Sequence, residues 1–121
     1  MTLRRQQLGK TGESLAVWEL ERRGYEILAR RYRTRYGEID VVARDGPTLV
    51  FVEVKARATA EFGTAAEAVT RRKQRRLVAM AREYLTDSGV ADEPCRFDVV
   101  AIDDVERAPV LVVYPGAFDA A

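Results

Sequence analysis

The spacing of apolar residues divides the chain into seven elements. Over residues 8–24, Ala16, Val17 and Leu20 recur at helical spacing, Thr11 is placed to cap the start and Gly24 to stop the end, predicting a helix. Tyr25, Ile27 and Ala29 then alternate with polar or outward positions, predicting a strand over 25–33. Two β-branched and aromatic runs, 37–44 and 48–55, flank Asp45-Gly46-Pro47 and predict a hairpin. Its second run contains Leu49-Val50-Phe51-Val52, apolar without interruption, as a central strand covered on both faces requires. Residues 56–63 read as a loop. A long helix follows over 64–88, its inward stripe formed by Ala66, Val69, Leu77, Met80, Ala81 and Tyr84, with Gly89 as its stop. Strands over 96–102 and 110–114 complete the chain, the last one halted by Pro115-Gly116, and loose ends are expected at about 1–7 and 116–121. The order α-β-β-β-α-β-β defines an α/β domain with a mixed sheet flanked by helices. At 121 residues there is room for one such domain.

If Gly46 and Pro47 are the two central turn residues, Asp45 faces Thr48, Asp40 faces Glu53 and Glu38 faces Lys55. One face of the hairpin then carries Glu38, Asp40, Glu53 and Lys55. Carboxylates about 5 Å apart repel by roughly 3 kcal/mol at an effective dielectric of 20. A hard divalent cation held by Asp40 and Glu53 would remove that penalty, and so would a plain ion network through Lys55. Glu13 shares the inward stripe of the first helix. It reads either as a first-turn residue complementing the helix dipole or as a carboxylate facing the Asp40/Glu53 cluster.

Composition narrows the chemistry. There is no histidine and one cysteine, Cys95, which excludes Ser-His and Cys-His catalysis, soft-metal sites and an internal disulfide. Any catalysis falls to carboxylates, lysine, tyrosine or a hard cation. No apolar run is long enough to span a membrane and no apolar core follows the basic N-terminus, so a cytoplasmic protein is expected. The net charge of +1 hides an asymmetry: residues 1–35 hold nine Lys/Arg against four Asp/Glu, and residues 87–121 hold two against eight. Such polarity fits a face made for an anionic partner. Arg30, Arg31, Arg33 and Arg35 interleave with Tyr32 and Tyr36, a mixture suited to nucleic acid and equally to protecting a sheet edge. Arg71, Arg72, Lys73, Arg75 and Arg76 crowd the second helix. Of these, Lys73 falls on the inward stripe, four after Val69 and four before Leu77, and needs an anionic partner there.

Gly37-Glu38-Ile39-Asp40 followed by Phe51-Val52-Glu53-Val54-Lys55 resembles the PD-(D/E)xK core of restriction-endonuclease-like nucleases. More closely, the chain resembles the small bacterial YraN family, through Gly9-x-x-Gly12-Glu13, Arg33, Phe62-Gly63, Lys73-Gln74 and Arg96-Phe97-Asp98. Archaeal Holliday-junction resolvases share the layout. The resemblance implies a restriction-endonuclease-like fold and a metal-dependent DNA endonuclease, with branched DNA as the substrate suggested by the resolvases and a homodimer as a plausible assembly. Asp40, Glu53 and the carbonyl of Val54 would hold Mg²⁺ or Mn²⁺, with Glu13 completing the shell. Lys55 would orient or deprotonate the attacking water, and Lys73 and Gln74 would contact the phosphate. Arg31, Arg33, Arg35, Arg57, Arg71 and Arg72 would bind the DNA backbone. Two positions depart from the pattern: Ile39 replaces the proline of the superfamily motif, and Arg31 stands where the family pattern has Asn. The other reading is a nucleic-acid-binding or partner-docking protein that keeps the fold without turnover.

Overall fold

The computed structural model describes residues 3–57 and 69–120, with the side chains of residues 3–9 left out. The expected loop with Phe62-Gly63, and residues 64–68 of the expected second helix, lie outside the described residues. The elements are α1 (Leu3–Arg22), β1 (Glu26–Thr34), β2 (Gly37–Asp45), β3 (Thr48–Ala56), α2 (Arg71–Ser88), β4 (Cys95–Asp103) and β5 (Val110–Phe118). The sheet runs β1-β2-β3-β4-β5, antiparallel throughout except for the parallel β3–β4 pair. This is the α-β-β-β-α-β-β mixed sheet with flanking helices that the pattern predicts.

The sheet divides the core in two. Val50 and Val52 of β3 pack with Ala16, Val17 and Leu20 of α1 on one face. Leu49 and Phe51, alternating with them, pack with Leu77, Val78, Met80 and Ala81 of α2 on the other. All four are fully buried, as the uninterrupted apolar run between Thr48 and Glu53 requires.

Three boundaries differ from the expectation. Helix α1 begins at Leu3, so Thr11 lies inside it rather than at its cap, and Glu13 sits mid-helix and buried rather than in an exposed first turn. Helix α2 begins at Arg71: Val69 and Thr70 are not helical, and Thr70 is the N-cap, its hydroxyl accepting from the Lys73 N–H at 3.3 Å. Capping of orphan amides ends the helix where a purely apolar stripe would have carried it further. Strand β5 passes through Pro115 and Gly116 to Phe118, whose ring stacks on Phe97 with centroids 5.1 Å apart. An edge strand tolerates proline because its outer N–H has no partner to lose.

A glycine brings α1 onto the sheet. A Cβ built on Gly12 would stand 2.5 Å from the Cβ of Ala56 and 3.8 Å from Cδ1 of Ile102. The Ala56 Cβ is fixed to the strand backbone and cannot swing away, so the helix would have to lift off β3 one residue past Lys55. Gly12→Ala is expected to lower stability by about 1–3 kcal/mol through overpacking, despite alanine's better helix propensity. Thermal melts should show this loss, and Ala56→Gly in the same chain should recover part of it. A Gly12→Ala protein as stable as the wild type would show that the contact has room to spare.

Candidate active site

The site forms where the sheet forks. Strands β2 and β3 pair from Asp45↔Thr48, the expected hairpin register, to Val41↔Val52. Beyond that point only the outer pairings continue, β2 with β1 through Ile39 and Glu38 and β3 with β4 from Glu53↔Val99 to Ala56↔Ile102. Asp40 is the first β2 residue in the fork. Its Oδ2 accepts the Val54 N–H at 2.8 Å, so a side chain takes the amide that the β2 backbone no longer meets.

The expected single face of four charges is corrected here. Ile39 packs with Val42 in the cluster under α2, whereas Val41 between them packs under α1. Strict alternation would place Ile39 and Val42 on opposite faces, so the period breaks at Asp40. Counting outward from Ile39 then sends Glu38 to the α1 side, where it pairs with Arg33 at 3.5 Å. Asp40, Glu53 and Lys55 remain together; Glu38 pairs with Arg33 instead, though its charge still reaches Asp40 and raises it.

The electrostatics of the pair are those of two crowded acids. Burial, and secondly the Glu53 charge, push the Asp40 carboxyl up to about 7, although the Val54 N–H pulls it down. Burial raises Glu53 as well, opposed first by Lys73 and then by Arg76 and Lys55. The Lys73 charge thus falls close enough to Glu53 to act on it, without a direct ion pair among the described residues. Arg76 was missed by sequence reasoning, although it lies three residues beyond Lys73 and so on the same helical face. Among the described residues no three His, Cys, Asp or Glu side chains gather tightly enough to hold a metal on their own. The donors available to a cation are therefore Asp40, Glu53 and the Val54 carbonyl with water, a hard oxygen set that fits Mg²⁺ or Mn²⁺.

The remaining candidates divide. Glu13 stands near enough to raise Asp40, but its Oε1 meets Arg30 Nε at 3.0 Å and its Oε2 meets Arg31 Nε at 2.8 Å. Arg33 lies exposed on β1, and Arg35 stands in the turn that follows it, holding Glu83 at 3.0 Å. Arg57 turns to Asp103 at 2.7 Å and is largely covered. Gln74 donates to the Val69 carbonyl at 3.0 Å, a bond that steadies the start of α2. Arg71 and Arg72 are exposed on the first turn of α2, which contains no acidic residue.

A fork of this kind, with paired acids and convergent cations between two helices, defines a small α/β domain with one concentrated polar site. The chain belongs to the uncharacterised protein family UPF0102, whose model matches residues 12–102. It is similar to a UPF0102 protein of Geobacter metallireducens, 46% identical over 121 residues that span all of this chain and 99% of the relative. A UPF0102 protein of Moorella thermoacetica is 46% identical over 98% of this chain and all of its own length. Another from Geobacter sulfurreducens is 54% identical over 78% of this chain and 74% of its own. No helix among the described residues is long and apolar enough to cross a membrane.

Proposed function

We propose that the protein is a metal-dependent DNA endonuclease, with the Asp40–Glu53 fork as its active site and branched DNA as its preferred substrate. The observation that carries the reading is the charge arrangement. Burial disfavours both acids and the Glu53 charge adds to the burden on Asp40, while Lys73, Arg76 and Lys55 act on Glu53. A structural ion network has no need to bury two acids side by side, whereas a cation site does. Asp40, Glu53 and the Val54 carbonyl would hold Mg²⁺ or Mn²⁺, which when bound polarises a phosphodiester and lowers the pKa of its water.

The protein's own groups do the rest. Asp40 is oriented by the Val54 amide, so its carboxylate enters the site in one direction. Lys55 sits two residues beyond Glu53 on the same side of β3, where its ammonium can orient the attacking water and stabilise charge growing on phosphorus. Lys73 and Arg76 bring positive charge to the substrate backbone from α2. Arg71 and Arg72 extend that charge outward, which favours any polyanion. The preference for branched DNA rests on the likeness to resolvases, and a dimer would let two such sites act on paired strands.

The test is cleavage of labelled four-way junction, flap, single-stranded and duplex DNA with Mg²⁺ or Mn²⁺, using wild type, Asp40→Ala and Lys55→Ala, each checked for folding. Wild type should cut the junction fastest, and each substitution should slow cutting by about 100-fold or more, the scale of losing one transition-state electrostatic group. No cutting, with equal DNA binding by all three, would leave a nucleic-acid-binding protein with the nuclease layout.

A further inference from the structure

Glu13 and Arg31 form a device that neither the carboxylate pair nor the basic helix accounts for. The Glu13 side chain is 8% exposed, and each of its oxygens already faces a guanidinium. A carboxylate in a cation's shell offers its lone pairs to the cation; this one offers them to Arg30 and Arg31. Arg31 itself is held at φ 53, in the left-handed region that a long side chain seldom adopts. Such a conformation persists where the surroundings over-determine it, and it collects at functional sites.

Its place in the sheet is equally specific. The ladder pairs Arg30↔Val41 and Tyr32↔Ile39 flank it, so Arg31 stands across from Asp40, the residue at the fork. Its Nε is committed to Glu13, and its two terminal nitrogens have no hydrogen-bond partner among the described residues. The side chain is 43% exposed, open enough to receive a ligand. A guanidinium anchored at Nε with both terminal N–H pairs presented is the geometry that grips phosphate oxygens two at a time.

We propose that Glu13 is a positioning residue for Arg31, not a ligand of the cation, and that Arg31 so held grips a backbone phosphate of the nucleic acid beside the Asp40–Glu53 pair. The phosphate half of this inference rests on the nucleic-acid reading of the site. Two measurements separate the roles. Mn²⁺ affinity is read by titration calorimetry on wild type, Glu13→Gln and Asp40→Asn. Affinity for a four-way junction in Ca²⁺, and its dependence on salt, is read on wild type, Glu13→Gln, Arg31→Ala, Arg31→Lys and the double variant.

Glu13→Gln is expected to bind Mn²⁺ within about twofold of wild type, while Asp40→Asn loses it. Arg31→Ala should weaken junction binding by roughly tenfold and flatten the salt dependence by about one phosphate contact. Glu13→Gln should produce a similar loss, the double variant should be no worse than Arg31→Ala, and Arg31→Lys should not rescue. A Glu13→Gln protein that loses Mn²⁺ as Asp40→Asn does, or an Arg31→Ala protein with wild-type junction affinity, overturns the proposal. If Glu13→Gln does not fold, the Arg31 variants decide alone. A wild type that binds the junction but no Mn²⁺ removes the cation reading only; one that binds no DNA removes both the nucleic-acid reading and the Arg31 phosphate grip.

Discussion

Asp40→Asn should raise the melting temperature strongly at pH 8, raise it less at pH 5, and erase any stabilisation by Mn²⁺. The sign follows from the Asp40 carboxyl. Its ordinary value is 3.8 and the fold pushes it up to about 7, chiefly by burial and then by Glu53. Between those values the folded protein binds more protons than the unfolded chain, so stability falls as pH rises through that window. Above pH 7 the ionised acid is held against its preference. Asparagine keeps an acceptor for the Val54 N–H and removes the charge, relieving the repulsion without opening the fork. In a domain this size each kcal/mol relieved should appear as roughly 3–6 °C. Mn²⁺ binding only the folded wild type raises its melting temperature by mass action, and Asp40→Asn has lost the ligand. Melts of wild type and Asp40→Asn at the two pH values, with and without Mn²⁺, read these shifts. A fall in stability at pH 8, or an unchanged Mn²⁺ shift in the variant, would remove Asp40 from any cation site.

The second large effect belongs to Asp98, on the α1 side of the sheet. This carboxylate is fully buried and accepts from Arg96 Nε at 2.8 Å, Arg96 Nη2 at 3.0 Å, the Tyr25 hydroxyl at 3.0 Å and the Gly116 N–H at 2.9 Å. It ties the starts of β1 and β4 to the end of β5, and Arg96 extends the network to Asp45 at the hairpin turn, 3.1 Å away. Asp98→Ala strands a guanidinium, a hydroxyl and an amide, and should cost about 3–5 kcal/mol, as removing one member of a buried ion pair does. That is a large share of a total of roughly 5–15 kcal/mol. Urea unfolding should show a lower midpoint with an unchanged slope. Replacing Asp98 and Arg96 together by apolar residues should cost less than Asp98→Ala alone, and an additive loss would contradict the network. Tyr25 reports on the same cluster: burial, then the Asp98 charge, push its hydroxyl from 10 up to about 12. The folded state keeps the phenol neutral, so this contribution is full below pH 10 and disappears as pH rises through 12.

Both effects bear on how far the sequence could be read. The hairpin register was legible because Asp45-Gly46-Pro47 leaves one economical turn, and Asp45↔Thr48 is the pairing found. The buried run 49–52 announced a central strand, and the spacing of Lys73 announced an inward cation, whose charge acts on Glu53. These are local or periodic signals, carried by neighbours within one turn or one hairpin. The ends of α2 and β5 were less legible. A cap at Thr70 and an edge position for Pro115 depend on which groups lack partners after the elements have packed.

By itself, then, the sequence determined the element order, the hairpin register and the residue types able to do chemistry, because pattern and turn geometry act within a few residues. Tertiary structure decided which of those residues meet. The parting of β2 from β3 at Asp40 is seen only in the assembled sheet, where β1 stays paired to the far edge of β2 and β4 to the far edge of β3. The left-handed Arg31, the clamp of Arg30 and Arg31 on Glu13, and the departure of Glu38 to the α1 side follow from that break in alternation. A period-2 count carries through such a break without registering it, since the break is made by partners far apart in the chain.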